Sequence, residues 1–160
     1  TKFKSKIIPI NEKSKLGTIG SLFLVKNYIN FPLLVMNADL ITTLSIPALI
    51  SFYKMEKADG LITAATYEHK VPFGVLRYNT LGKLESIEEK PENKNLIAAG
   101  VYILSKKIAD LVLKEEFLDM PVLLDKALKK NYNIVVFPIH EKWRDIGKIE
   151  EYNKAINENK

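Results

Sequence analysis

Leu33-Leu34-Val35-Met36-Asn37-Ala38-Asp39 decides the fold. Four apolar residues in a row are too few for a helix and read as a short strand. A continuous run of this kind suits a parallel sheet covered on both faces, so the strand is predicted to be fully buried. Asp39 then stands just past the carboxyl end of that strand, where ligands bind in open α/β sheets. A carboxylate there is not core: it is solvated in a turn, caps a helix, or holds a cation. A second aspartate, in Trp143-Arg144-Asp145-Ile146-Gly147, follows an aromatic residue much later in the chain. Two carboxylates together with substrate phosphates suit magnesium, which takes hard oxygen ligands and keeps some water.

Working outward, residues 7–10 read as a strand and 18–28 as a helix, with Leu22, Val25 and Ile29 near helical spacing. A helix is predicted over 47–57, with Pro47 in its tolerated first turn. Strands follow at 61–66, 73–78 and 83–88, the last two flanking Asn79-Thr80-Leu81-Gly82, whose glycine suits a hairpin turn. A strand at 96–104, a short helix at 106–113, and a helix to about residue 130 come next, the last capped by Asp119 with Pro121 in its first turn. A strand at 134–137 and a terminal helix at 148–157 complete the pattern. Strands alternating with helices, plus one hairpin, predict an α/β domain: a Rossmann-like open mixed sheet with helices on both faces. No repeat or interdomain linker is visible, so residues 1–160 read as a single domain.

A length of 160 residues is enough for a real core, and 47% hydrophobic with 27% charged residues is ordinary for a globular chain. No cysteine is present, which excludes disulfides and thiolate metal sites. The apolar stretch 31–53 is broken by Asn37, Asp39 and two prolines, so it is no membrane span, and no signal peptide is visible. The net charge of +5 raises a nucleic-acid reading. Arg77 and Arg144 are the only arginines, whereas base recognition and phosphate clamping favour the arginine fork. Lys2, Lys4 and Lys6 alternate as the solvent side of a strand would, and the nucleic-acid reading is set aside. His69 and His140 have no spacing that makes a metal pair, and nothing suggests a nucleophile–base arrangement.

Two segments carry chemistry of their own. Leu16-Gly17-Thr18-Ile19-Gly20 opens a helix; its glycines let a flat group approach the backbone, and first-turn amides attract anions or base carbonyls. An ordinary Gly-Thr helix start looks the same, and neither a dinucleotide fingerprint nor a Walker loop is present. In Glu88-Glu89-Lys90-Pro91 the glutamate can accept from sugar hydroxyls and the lysine can neutralise a phosphate. A solvated charge run has the same composition.

Taken in order, these segments together with Val71-Pro72-Phe73-Gly74-Val75, Ala98-Ala99-Gly100-Val101-Tyr102 and Phe117-Leu118-Asp119-Met120-Pro121 resemble the sugar-1-phosphate nucleotidyltransferases. The resemblance runs over about residues 7–152 and is greatest to the branch similar to mannose-1-phosphate guanylyltransferases. It implies transfer of a nucleotidyl group from a nucleoside triphosphate, GTP first, to a sugar 1-phosphate, in the cytoplasm. It implies Mg2+ held by Asp39 and Asp145, and Lys90 beside the sugar phosphate; these three form the catalytic set. By the same resemblance Gly17, Thr18 and Gly20 meet the nucleobase, Glu89 grips the hexose, and Gly74, Ala98 and Gly100 line the sugar-phosphate side.

The chain departs from the family pattern in three places. Ala98 stands where many relatives have asparagine, which leaves the hexose open, and Ala38 replaces the more usual glycine beside the metal-binding aspartate, where a methyl group would crowd the metal or phosphate slightly. Residues 1–10 hold no glycine and no arginine, so the family's N-terminal glycine-rich, arginine-containing loop has no counterpart before Leu16. The chain thus reads as the C-terminal portion of a catalytic domain, inactive alone, with an N-terminal segment or a second copy (a homodimer) expected to cover it. The alternative reading is a non-catalytic sugar-nucleotide-binding or regulatory fragment.

Overall fold

The computed structural model describes residues 6–158, which leaves Lys2 and Lys4 outside the described residues. In chain order the elements are α1 (Leu22–Val25), β1 (Leu33–Met36), β2 (Leu40–Thr42), α2 (Ile46–Met55), β3 (Gly60–Lys70), β4 (Gly74–Tyr78), β5 (Leu84–Glu89), β6 (Glu92–Leu104), α3 (Lys106–Ala109), α4 (Met120–Leu128), β7 (Ile134–Pro138), β8 (Trp143–Asp145) and α5 (Ile149–Glu158). Four strands form a sheet in the order β1-β6-β3-β7, and the pairs β2-β8 and β4-β5 form separate two-stranded sheets. The α/β class and the β4-β5 hairpin match expectation. Residue contacts divide the chain into two compact units.

The first unit comprises Thr1–Met36, Ser45–Ile62 and Val101–Val136. Its core joins Leu22, Leu104, Ile108, Val112, Leu118 and Leu123, all nearly or fully buried. α4 forms because Met120, Leu123, Leu124 and Ala127 fall at helical spacing and are buried as one stripe. α2 starts where the Ser45 hydroxyl accepts from the Ala48 amide, and it buries Leu49 and Tyr53, one turn apart. Asp59 ties three segments together: its carboxylate accepts from Lys107 Nζ at 2.9 Å and from the Asn133 amide at 3.1 Å, while its carbonyl accepts from the Ser105 amide. The lysine bond holds the Asp59 carboxyl below its ordinary value and lifts Lys107 above its own.

The strand that decides the fold is not buried on both faces. β1 runs antiparallel to β6, with Leu33 opposite Leu104 and Met36 opposite Val101, at one end of the strand order. Leu34 and Met36 point outward, 40% and 45% exposed, while Leu33 and Val35 pack on the core. A short apolar run says that a segment extends, not how many neighbours it has. The expected strand at 7–10 does not form either, and Ile7 is 80% exposed.

Two helices are shorter than predicted. Over 18–28 only α1 is helical, because the amides of Ile19 and Gly20 both donate to the Leu118 carbonyl instead of along their own chain. Over 106–113 only α3 is, since Leu111 and Val112 donate three residues back and the turn tightens.

The second unit comprises Asn37–Leu44, Thr63–Gly100 and Phe137–Lys160. β4 and β5 make the hairpin, with Leu76 opposite Ile87 and an irregularity at Arg77/Tyr78. Asn79 Oδ1 accepts from the amides of Leu81 and Lys83, and Gly82 takes the positive φ of +76° that closes the turn. α5 places Tyr152, Ala155 and Ile156 against Ile41 and Ile146 around a cavity of 270 Å³. The pair β2-β8, three residues in each strand, is absent from the sequence expectation. Among the described residues no helix is long and apolar enough to cross a membrane.

Candidate functional site

The β2-β8 pairing builds the centre of the site. Leu40 lies opposite Asp145, Ile41 opposite Arg144 and Thr42 opposite Trp143, and the Ile146 amide donates to the Asp39 carbonyl at 2.8 Å. Asp39 and Asp145, distant in sequence, therefore become neighbours at one end of this ladder. A Cβ added to Gly147 would lie 2.8 Å from Asp39 Oδ2 and 3.1 Å from Asp145 Oδ1. One oxygen from each carboxylate thus faces the same point, which is open because residue 147 has no side chain. The Gly147 amide also donates to Asp145 Oδ1 at 2.8 Å and fixes that carboxylate. Among the described residues no cluster of three or more His, Cys, Asp or Glu could hold a metal. The aspartate pair suits a hard divalent cation whose remaining ligands are phosphate and water.

Neighbouring residues hold this pair in place. The Asn37 amide donates to the Gly100 carbonyl at 2.9 Å. Gly100 has φ +75°, and a Cβ there would meet Asn37 Nδ2 and Leu40 Cδ1, each at 2.9 Å. A glycine inside a long strand marks such a close approach. The Trp143 indole donates to the Ala99 carbonyl at 2.8 Å and anchors β8. Ala98, next along β6, is exposed, as is Ala38.

Beside Asp145 lies an open cavity of about 530 Å³ lined by Tyr67, Ile97, Trp143, Arg144, Asp145, Lys148 and Glu151. Two aromatic side chains with two cations and two carboxylates give this cavity a mixed lining that suits a polar ligand. Sequence reading assigned no role to Tyr67, Arg144, Lys148 or Gly147. Arg144 and Lys148 bracket the aspartate in Trp143-Arg144-Asp145-Ile146-Gly147-Lys148, and that charge spacing was the available signal.

On the hairpin, Gly74 pairs with Glu89, and a Cβ on Gly74 would come within 3.1 Å of Glu89 Oε2. Lys90 pairs with Glu89 at 3.5 Å, both side chains more than half exposed, so the ion pair adds little stability. Lys90 adopts φ +47°, a left-handed conformation uncommon for a lysine. Gly74, Glu89 and Lys90 therefore form one exposed group at the end of the hairpin.

Gly17, Thr18 and Gly20 belong to the first unit, and here the expected free amides are occupied. The amides of Thr18, Ile19 and Gly20 donate to Asp119 Oδ1, Leu118 O and Leu118 O respectively. Asp119 precedes α4 but its side chain does not cap that helix, contrary to expectation; the Thr18 hydroxyl accepts from the Met120 amide instead. Gly17 (φ +76°) and Gly20 are small because the backbone at Leu118 and Glu116 comes within 2.6 and 2.5 Å of where their Cβ atoms would stand.

The nucleotidyl transferase family model matches residues 1–160. The chain is 28% identical over 159 residues to a probable mannose-1-phosphate guanylyltransferase 3 of Arabidopsis thaliana, covering 94% of this chain and 47% of that one. It is 27% identical to a glucose-1-phosphate adenylyltransferase of Desulfitobacterium hafniense, covering 87% of this chain and 39% of that one. It thus spans about half the length, or less, of the curated relatives it matches. The crystal structure of HddC from Yersinia pseudotuberculosis superposes with a TM-score of 0.71 at 28% identity, covering 99% of this chain and 69% of that one. The same protein complexed with GMP-PN superposes at 0.67 and 27%, over 94% and 66% of the two chains. By the full-length family match and by its fold, this chain belongs to the nucleotidyl transferase family.

Proposed function

We propose that the protein contributes the metal-binding and sugar-phosphate side of a sugar-1-phosphate nucleotidyltransferase, with GTP as nucleotide donor. The observation that carries this is the convergence of Asp39 and Asp145 on the space left by Gly147. A sugar 1-phosphate oxygen attacks the α-phosphate in line, and pyrophosphate leaves. The attacking phosphate is already ionised near neutral pH, so the chain need not supply a general base. Its task is to overcome repulsion between two anions and to align them. When bound, Mg2+ supplies charge neutralisation and a template for both phosphates. Asp39 and Asp145 would hold it, and Gly147 keeps the approach clear. Lys90 offsets residual charge on the sugar phosphate, Glu89 accepts from hexose hydroxyls, and Gly74 admits the sugar close to backbone. Ala98 and Gly100 line the same side, and Gly17, with Thr18 and Gly20, borders the base. The cavity beside Asp145, with Arg144 and Lys148, gives a phosphorylated sugar room on the metal's side. GTP is supported by the guanylyltransferase relatives and the GMP-PN complex, with two adenylyltransferase relatives on the other side.

The test is pyrophosphate release by the polypeptide as its gene encodes it, with each of four nucleoside triphosphates against mannose, glucose and amino-hexose 1-phosphates. Magnesium-dependent release, fastest with GTP, is the expected result. Nucleotide-sugar binding with no release from any pair would replace this reading with a non-catalytic binding role.

A further inference from the structure

The segment Phe117-Leu118-Asp119-Met120-Pro121 has no role in the chemistry above, yet it makes the densest set of backbone contacts to the turn at residues 16–20. The Leu118 amide donates to the Leu16 carbonyl at 2.9 Å. The amides of Ile19 and Gly20 donate to the Leu118 carbonyl at 3.1 and 3.2 Å. Asp119 Oδ1 accepts from the Thr18 amide at 2.9 Å, and Thr18 Oγ1 accepts from the Met120 amide at 2.8 Å. This last exchange is reciprocal: Asp119 fixes the turn, and the turn's threonine serves the start of α4. Glu116 steadies the segment from behind, accepting from Lys126 of α4 and from the Leu113 amide. The lysine bond keeps the Glu116 carboxyl below its ordinary range.

We infer that Asp119 is a positioning residue for the nucleotide: its carboxylate locks the turn at residues 16–20 so that Gly17 presents its peptide to the base. This rests on the base-binding role proposed above for Gly17. Three consecutive amides, those of Thr18, Ile19 and Gly20, are tied to this one segment, so the direction of the Gly17 peptide is set by it. Asp119 Oδ1 would lie 2.9 Å from a Cβ on Gly17, which places the carboxylate directly against that peptide. A charged acceptor holds an amide more firmly than a neutral one, and fixing a recognition group beforehand removes an ordering cost from binding. Asp119 thus acts on affinity for the nucleotide, through Thr18 and Gly17, without touching it.

The experiment titrates the polypeptide as its gene encodes it with GTP, then with the other three nucleoside triphosphates. Backbone amide signals of residues 17–20 are followed by ¹⁵N NMR, and a parallel titration uses mannose 1-phosphate. Asp119→Ala should weaken triphosphate binding at least about tenfold and leave sugar-phosphate binding within about twofold. Asp119→Asn, which keeps an acceptor oxygen, should recover most of that loss. If Asp119→Ala does not fold, Asp119→Glu replaces it; its extra methylene displaces the acceptor and should weaken the same ligand. Triphosphate binding unchanged in these variants, or equal losses for both ligands, would overturn the positioning role alone. Wild-type protein in which no triphosphate moves the signals of residues 17–20 would overturn the Gly17 assignment and this inference with it.

Discussion

Asp39 and Asp145 each turn one carboxylate oxygen towards the same point, the position that a side chain on Gly147 would fill. The β2-β8 ladder makes this happen with only three residue pairs, because the pairing of Leu40 with Asp145 leaves Asp39 opposite Ile146. The like charges of these two carboxylates repel each other, and a shared cation would offset that repulsion. The Gly147 amide, donating to Asp145 Oδ1, offsets part of that repulsion.

Removing one of the two charges should therefore abolish tight cation binding without unfolding the chain. Asp145 is exposed, so Asp145→Asn leaves no buried group unpaired. Turnover should fall at least about a hundredfold, since a metal clamp contributes several kcal/mol and ~1.4 kcal/mol is tenfold. Steady-state pyrophosphate release at saturating magnesium decides it; a rate near wild type would remove Asp145 from the proposed metal site.

Gly147→Ala tests the open space itself. Its methyl would sit 2.8 Å from Asp39 Oδ2 and 3.1 Å from Asp145 Oδ1, so one carboxylate must swing away. Affinity for Mn2+ or Mg2+, read by calorimetry, should drop about tenfold or more, and thermal stability should hardly change because residue 147 is exposed. An unchanged affinity would mean that the cation binds elsewhere.

Parts of this arrangement were open to sequence reading and parts were not, for reasons visible in particular residues. The apolar run at Leu33–Met36 announced β1, and the spacing of Met120, Leu123, Leu124 and Ala127 matched α4. Burial of β1 was overestimated because a run of four apolar residues looks the same at a sheet edge as in its middle. β2 and β8 went unseen because three residues carry no periodicity. The motif order singled out both aspartates, but Gly147 contributes a space, which leaves no chemical mark in a sequence. The amides of residues 18–20 looked available for a ligand because their acceptors, Leu118 and Asp119, lie about a hundred residues away in the chain.

Lys90 allows a separation of stability from function. Its φ of +47° is strained for a lysine and ordinary for a glycine. Lys90→Gly should raise stability by about 0.5–1 kcal/mol, relief of a left-handed residue outweighing a weak exposed ion pair. The same variant should slow nucleotidyl transfer at least about tenfold through loss of the charge beside the sugar phosphate. Chemical denaturation and turnover measured on one preparation make the comparison; a variant both more stable and equally active would show that the lysine has no catalytic part.

Acid should destabilise the first unit through Asp59. The Lys107 ammonium holds the folded-state carboxyl below its ordinary value of 3.8, so the unfolded chain binds the proton more readily than the folded one. Stability from this group is complete above that ordinary value and is lost as pH falls through the lower folded one. Asp59→Asn cannot titrate and keeps a single acceptor oxygen, enough for Lys107 or for the Asn133 amide but not for both. It should be less stable than wild type at pH 7, and the gap should narrow as pH drops through the acid range. Thermal midpoints taken from pH 7 down to the acid limit give the answer: two curves that stay parallel would show that Asp59 titrates alike in folded and unfolded chains.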